Sequence, residues 1–212
     1  MSHLLRHYLD LVERHFKIAT LLLLIPVVIA LLIGFIQPVT YRSTSSLLVV
    51  QKQNAVLDAY TAARAAERVG KNLVNVFDSA SFRNKVWIIT GEDVKKKFGD
   101  SEEKVSKNWN KRLSIRLEPD TSILKVAVYA PTVTEALMIN QAVDEVLVKQ
   151  HAEYLSTNSD TAVGEIDPSY VKNRPYRPNF PLNALVGFIA GIIITGCYFV
   201  YRSWQEQSIF SI

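Results

Sequence analysis

Residues 112–135 read RLSIRLEPDTSILKVAVYAPTVTE, and this stretch decides the fold class. Leu113, Ile115 and Leu117 alternate with Ser114, Arg116 and Glu118; after Pro119-Asp120-Thr121-Ser122, Leu124, Val126 and Val128 alternate again. A period of two on both sides of a Pro-Asp turn predicts a half-buried β-hairpin, because successive side chains of a strand point to opposite faces. Thr132-Val133-Thr134-Glu135 then has capping-box spacing, with the Thr132 hydroxyl serving an orphan N–H and Glu135 reaching back. It opens a helix to about Leu155, with Ala136, Ile139, Val143, Val146 and Gln150 along one stripe. A last strand is predicted over Thr161–Asp167.

Working upstream, Tyr41–Gln53 with Leu47-Leu48-Val49-Val50 reads as a strand and Asn54 as the N-cap of a helix over Ala55–Phe77. Leu57, Tyr60, Ala63, Ala66, Val69, Leu73 and Phe77 fall toward one face of that helix. Gly70 costs about 1 kcal/mol against alanine in a helix interior, so a kink is expected there. Between this helix and the hairpin, Val86–Ile89 reads as buried, and Ser101-Glu102-Glu103 starts a helix leading to Trp109. The order β-α-(variable)-β-β-α-β is the ferredoxin-like, split βαβ arrangement, an α+β domain with helices on one sheet face.

Two charge-free apolar runs, Ile18–Ile36 and Phe180–Tyr201, stand on either side of this domain. Each suffices for a membrane span, since ~20 residues at ~1.5 Å rise cover the ~30 Å hydrocarbon core. The first exceeds a signal-peptide core and lacks an A-x-A-like cleavage site, so an uncleaved anchor is expected. The organisation expected is a cytoplasmic segment 1–17, a span 18–36, an extracytoplasmic α+β domain 37–174, a proline-rich strut 175–181, a second span 180–201 and a short cytoplasmic tail 202–212. Arg6, Arg14 and Lys17 before the first run, against Arg42 and Lys52 after it, favour an inside N-terminus. Lys172, Arg174 and Arg177 before the second run, against Arg202 after it, point the other way. Charge bias counts little across a domain this long, and a hairpin with both termini cytoplasmic is the expectation.

Residues 37–180 hold 20 Lys+Arg and 17 Asp+Glu, with both signs interspersed. Lys95-Lys96-Lys97 is the one dense basic run, so no nucleic-acid stripe is expected. The single cysteine, Cys197, excludes a disulfide within the chain and a cysteine metal site. His3 and His7 lack further ligands. The sequence contains no G-x-S-x-G, no H-E-x-x-H and no Gly-rich phosphate loop, and the carboxylates of Glu92-Asp93 and Glu102-Glu103 are adjacent rather than convergent. A non-enzyme without cofactor or metal is the expectation.

Two motifs remain. Pro175, Pro178 and Pro181 recur every third residue, the period of polyproline II, which predicts a stiff strut joining domain to span. Gly187 and Gly191 form a G-x-x-x-G in the second run, with Thr195 and Gly196 further along, a spacing that lets helices approach closely. The packing partner is either the first span or a neighbouring subunit.

This layout resembles the polysaccharide co-polymerases, the chain-length-determinant (Wzz-type) family that includes modulator subunits of bacterial capsule tyrosine kinases. The residues carrying the likeness are Pro175, Pro178 and Pro181 running into Leu182-Asn183, then Gly187 and Gly191; the hairpin ending in Pro131; and Ala136-Leu137-Met138-Ile139-Asn140, similar to the family's P…A-x-x-x-N pattern. The resemblance implies a non-enzymatic protein of the bacterial inner membrane. Such a protein forms ring-like homo-oligomers and controls chain length, polymerisation or export of a surface polysaccharide (O-antigen, capsule or exopolysaccharide). It implies a polymerase or export machinery and a lipid-linked glycan as partners, and no nucleic acid. The domain is short for the long membrane-distal helix of the O-antigen regulators, and no Walker-type motif follows Tyr201. The size is nearer to stand-alone kinase modulators, in which case Trp204 and Phe210, with Ile212, dock on a cytoplasmic tyrosine kinase. A third reading is a two-span extracytoplasmic receptor for a small ligand.

Overall fold

The computed structural model describes residues 15–51, 59–155 and 161–209. The expected cap Asn54, residues 55–58 with Leu57, His3, His7, Phe210 and Ile212 lie outside the described residues. The chain divides into two compact units, one of Met1–Pro38 with Arg177–Ile212, the other Val39–Tyr176.

The first unit is a helix pair, α1 (Phe16–Ile36) packed on α7 (Phe180–Ile209). Both helices are long and apolar enough to cross a membrane.

The second unit is mixed α and β. β1 (Tyr41–Gln51) is followed by helices α2 (Ala59–Phe77), α3 (Ala80–Thr90), α4 (Glu92–Lys96) and α5 (Glu102–Arg112). The hairpin β2 (Leu113–Leu117) and β3 (Ile123–Ala130), helix α6 (Val133–Lys149), a 3₁₀ turn (His151–Tyr154) and β4 (Thr161–Val171) complete it. The four strands form one sheet in the order β2-β3-β1-β4, with every neighbouring pair antiparallel. The hairpin turns at Asp120, whose φ of 56° is the left-handed conformation that aspartate tolerates in turns. Alternate residues Ser43, Ser45, Leu47 and Val49 of β1 and Leu124, Val126, Val128 and Ala130 of β3 are buried. Helices α2 and α6 pack against the sheet over these residues.

The core centres on five aromatic side chains brought together by α2, α3, α5 and the turn after α4. Phe77, Phe82, Trp87, Phe98 and Trp109 have neighbouring ring centroids 4.8–6.3 Å apart, in tilted and edge-on arrangements favoured by the ring quadrupole. Segment 78–111, whose pattern assigns few elements, is therefore helical and supplies most of this cluster. Only half of Val86–Ile89 is buried: Val86 and Trp87 face inward, whereas Ile88 is 82% exposed. The reason is that α3 turns about 100° per residue, so four consecutive side chains cannot share one face.

Helix α2 keeps Ala66, Leu73 and Phe77 of its expected stripe inside but leaves Tyr60 and Ala63 exposed. Ala62, Ala66, Gly70, Leu73 and Phe77 are buried, while Tyr60 stays 69% exposed. Small residues, not the large Tyr60, mark the inner stripe because the helix lies close to the sheet: a Cβ on Gly70 would stand 2.8 Å from Leu117 Cδ1. Helix α2 runs unbroken through Gly70, which serves close approach instead of a kink.

Arg83 is buried in α3 and donates to the Asp78 carbonyl and to the carboxylate of Glu102, in the first turn of α5. Removing Glu102 strands a buried guanidinium, which is costlier than losing an exposed pair. Glu102→Ala is expected to lower stability by ~1–2 kcal/mol, read as a shift in the urea midpoint followed by fluorescence of the buried Trp87 and Trp109. An unchanged midpoint rejects this role.

Candidate functional site

Gly187 and Gly191 lie directly against α1. A Cβ at 187 would stand 2.8 Å from both the Pro26 carbonyl oxygen and Val27 Cα, and one at 191 would stand 2.6 Å from the Leu23 carbonyl oxygen. Only glycine permits this backbone approach, which gains dispersion and weak Cα–H···O contacts between the helices. The G-x-x-x-G is thus used within the chain, on its own first apolar helix. Gly34 of α1 makes the reciprocal approach, its missing Cβ position being 2.7 Å from Asn183 Nδ2, beside the Phe35 and Phe180 rings at 5.0 Å. Gly196 has nothing within 4 Å of its Cβ position and takes no part.

The proline segment is not one extended rod. The backbone bends at Asn173, Arg174 and Tyr176, and the Arg177–Pro178 peptide is cis. Pro181 is the second residue of α7, and the Asn179 side-chain oxygen accepts from the Leu182 N–H at 3.2 Å as the helix cap. Proline is tolerated in the first turn of a helix because its missing N–H would have no intrahelical acceptor there, and the Asn179 cap draws Pro181 into the helix. Pro175 lies in the domain unit, whose first and last segments are joined by the Tyr176 N–H donating to the Thr40 carbonyl at 2.7 Å.

At the start of α6, Thr132 Oγ1 accepts from the Glu135 N–H at 3.2 Å. Glu135 does not reach back, a correction to the capping box: its Oε2 accepts from Lys97 at 2.8 Å instead. A cation from the α4 end offers the carboxylate a stronger, charge-assisted partner than a backbone amide. Helix α6 ends at Lys149, and the 3₁₀ turn carries the chain on to Leu155.

The arrangement that sequence reasoning missed lies beneath α6. Asn140, in the stretch that carries the family-like pattern, is fully buried, and its Nδ2 donates to Ser43 Oγ at 3.0 Å. One turn on, buried Asp144 accepts from Ser45 Oγ of β1 at 2.7 Å and from Ser169 Oγ of β4 at 2.5 Å. Burial pushes the Asp144 carboxyl up to about 6, against the pull of the two serine hydrogen bonds; Glu165 adds a smaller upward push. The signal was present as Ser43 and Ser45 at strand period two and Asn140 and Asp144 at i,i+4 within an apolar stripe. The cluster pins α6 to both β1 and β4 through one titratable group.

Trp204, near the end of α7, is 74% exposed. Among the described residues no three His, Cys, Asp or Glu side chains gather as a metal site. No protein-family model matches the chain, and no curated protein matches it.

Proposed function

We propose that this chain is a non-enzymatic, two-span protein of the bacterial inner membrane that assembles laterally with copies of itself. It sets chain length, polymerisation or export of a surface polysaccharide, as its resemblance to the chain-length determinants implies. The observation that carries the reading is one folded domain bracketed by two apolar helices that pack on each other through Gly187 and Gly191. The all-antiparallel order β2-β3-β1-β4, built from β-α-β-β-α-β, supports a ferredoxin-like domain. A domain tethered to the bilayer at both ends presents the same lateral faces to its neighbours, so association in the membrane plane loses little orientational freedom. Exposed Ile88, Tyr60 and Met138 on three helices supply apolar contacts for such neighbours. The partners are the polymerase or export machinery and its lipid-linked glycan.

The test is the mass of the full chain in detergent together with the polysaccharide ladder of a strain lacking it. An oligomer of several subunits and a shifted modal chain length are expected. A monomer at every concentration with an unaltered ladder overturns the proposal.

A further inference from the structure

We infer that the end of the domain where its first and last segments meet is a binding surface for anionic phospholipid headgroups. Arg42, on the sheet face away from α2 and α6, holds its guanidinium 5.7 Å from the Tyr129 ring centroid and 5.5 Å from that of Tyr176. The two rings are themselves 5.1 Å apart. This exposed cation is braced by two aromatic rings, and among the described residues it has no carboxylate partner. The charge of Arg116 also reaches the Tyr129 phenol.

The surrounding sequence has one sign. Lys172, Arg174 and Arg177 are exposed and in no ion pair among the described residues. Residues 37–57 and 168–205 contain no Asp or Glu at all. Residues 58–167 instead hold 15 Lys+Arg against 17 Asp+Glu, some of them paired as at Lys71–Glu67, Lys97–Glu135 and Lys149–Glu145. The unbalanced positive charge is therefore concentrated in the segments that flank the apolar helices.

Chain length argues for the occupant. Arg42 follows the last residue of α1, Ile36, by six positions, and Tyr176 precedes the first residue of α7, Phe180, by four. At ~3.3–3.6 Å per extended residue, these two connections reach at most about 22 Å and about 14 Å. The headgroup layer begins at those ends and is roughly 5–8 Å deep. Tyrosine rings and arginines with apolar stems favour that layer, and a guanidinium matches a phosphate through paired N–H donors. A basic run beside a span is attracted to anionic lipid for the same reason. The inference rests on α1 and α7 spanning a bilayer.

The experiment is native mass spectrometry of the full chain in detergent, titrated with phosphatidylglycerol or phosphatidylcholine. Binding of phosphatidylglycerol is expected to be at least ~5-fold tighter. Arg42→Gln combined with Lys172→Gln, Arg174→Gln and Arg177→Gln is expected to abolish the preference, and Arg42→Lys alone to weaken it ~2–3-fold, since an ammonium lacks the planar fork. Equal binding of the two lipids by the unaltered protein overturns the inference, a result that needs no variant to fold. So does a preference that survives the fourfold change. Displacement of phosphatidylglycerol by polygalacturonate would assign the surface to an acidic glycan instead, and displacement by inorganic phosphate to a free anion. Alkaline carbonate extraction separates the two levels: release of the chain from membranes defeats the spanning reading, whereas retention with equal lipid binding defeats only this one.

Discussion

The chain carrying Gly187→Leu and Gly191→Leu is expected to lose the close packing of α1 on α7 while Val39–Tyr176 keeps its fold. Even a Cβ at these positions stands 2.6–2.8 Å from α1 backbone atoms, and backbone, unlike a flexible side-chain tip, cannot swing aside. Overpacking costs about 1–3 kcal/mol per site in well-packed interiors, and leucine adds four carbons at each, so separation of the helices is the cheaper response. Native Cys197 and a cysteine introduced at exposed Leu21 allow spin labelling of the two helices. Pulsed electron-spin distances should lengthen and broaden in the double variant. A distribution matching that of the unaltered glycines would show that the contact is dispensable. Because these glycines meet α1 of the same chain, the proposed contact between copies is expected on other faces.

The second large effect is expected at Asp144. Burial pushes its carboxyl from the ordinary 3.8 up to about 6 in the folded chain, so the folded state holds more protons than the unfolded one between about pH 4 and pH 6. Stability from this group therefore falls as pH rises through that window and levels off above about pH 7. At 1.36 kcal/mol per unit the full loss is up to about 3 kcal/mol. Asp144→Asn keeps the shape and the serine contacts, with its oxygen accepting from Ser45 and its amide donating to Ser169, and carries no charge to desolvate. The variant should match the unaltered chain near pH 4 and exceed its melting temperature by ~5–10 °C at pH 7.5. A constant difference across pH would mean that Asp144 is not the group burial disfavours.

Legibility in the sequence followed the strength of each periodic signal. The hairpin was readable because Leu113, Ile115, Leu117 and Leu124, Val126, Val128 share the core-facing side, and burial in β3 follows that alternation except at Ala127, which is also buried. Ser101 announced α5 through a cap that accepts from the Lys104 N–H at 3.4 Å. The inner face of α2 was legible at Ala66, Leu73 and Phe77, while Ala62 and Gly70 were missed because they carry little hydrophobic weight; they are inside because the sheet is close, which no local pattern states. Strand β4 was expected to stop at Asp167, before Pro168, yet it continues to Val171. It is an edge strand beside β1, where a proline need not donate to a further neighbour. Register shifts beside Ser46 absorb the irregularity in that pairing.

The same division holds for the sites. Sequence by itself determined two helices apolar enough for a bilayer, an α+β domain between them, and the places where glycine, proline and cap residues fall. These are properties of composition and period, set by backbone geometry within a few residues. Tertiary structure alone decided which helix Gly187 and Gly191 meet, that Glu135 turns to Lys97, and that Asp144 is held by serines from two strands. Each joins side chains far apart in sequence or chooses between two partners of similar local chemistry. The choice belongs to burial and distance, quantities that exist only once the chain has closed on itself.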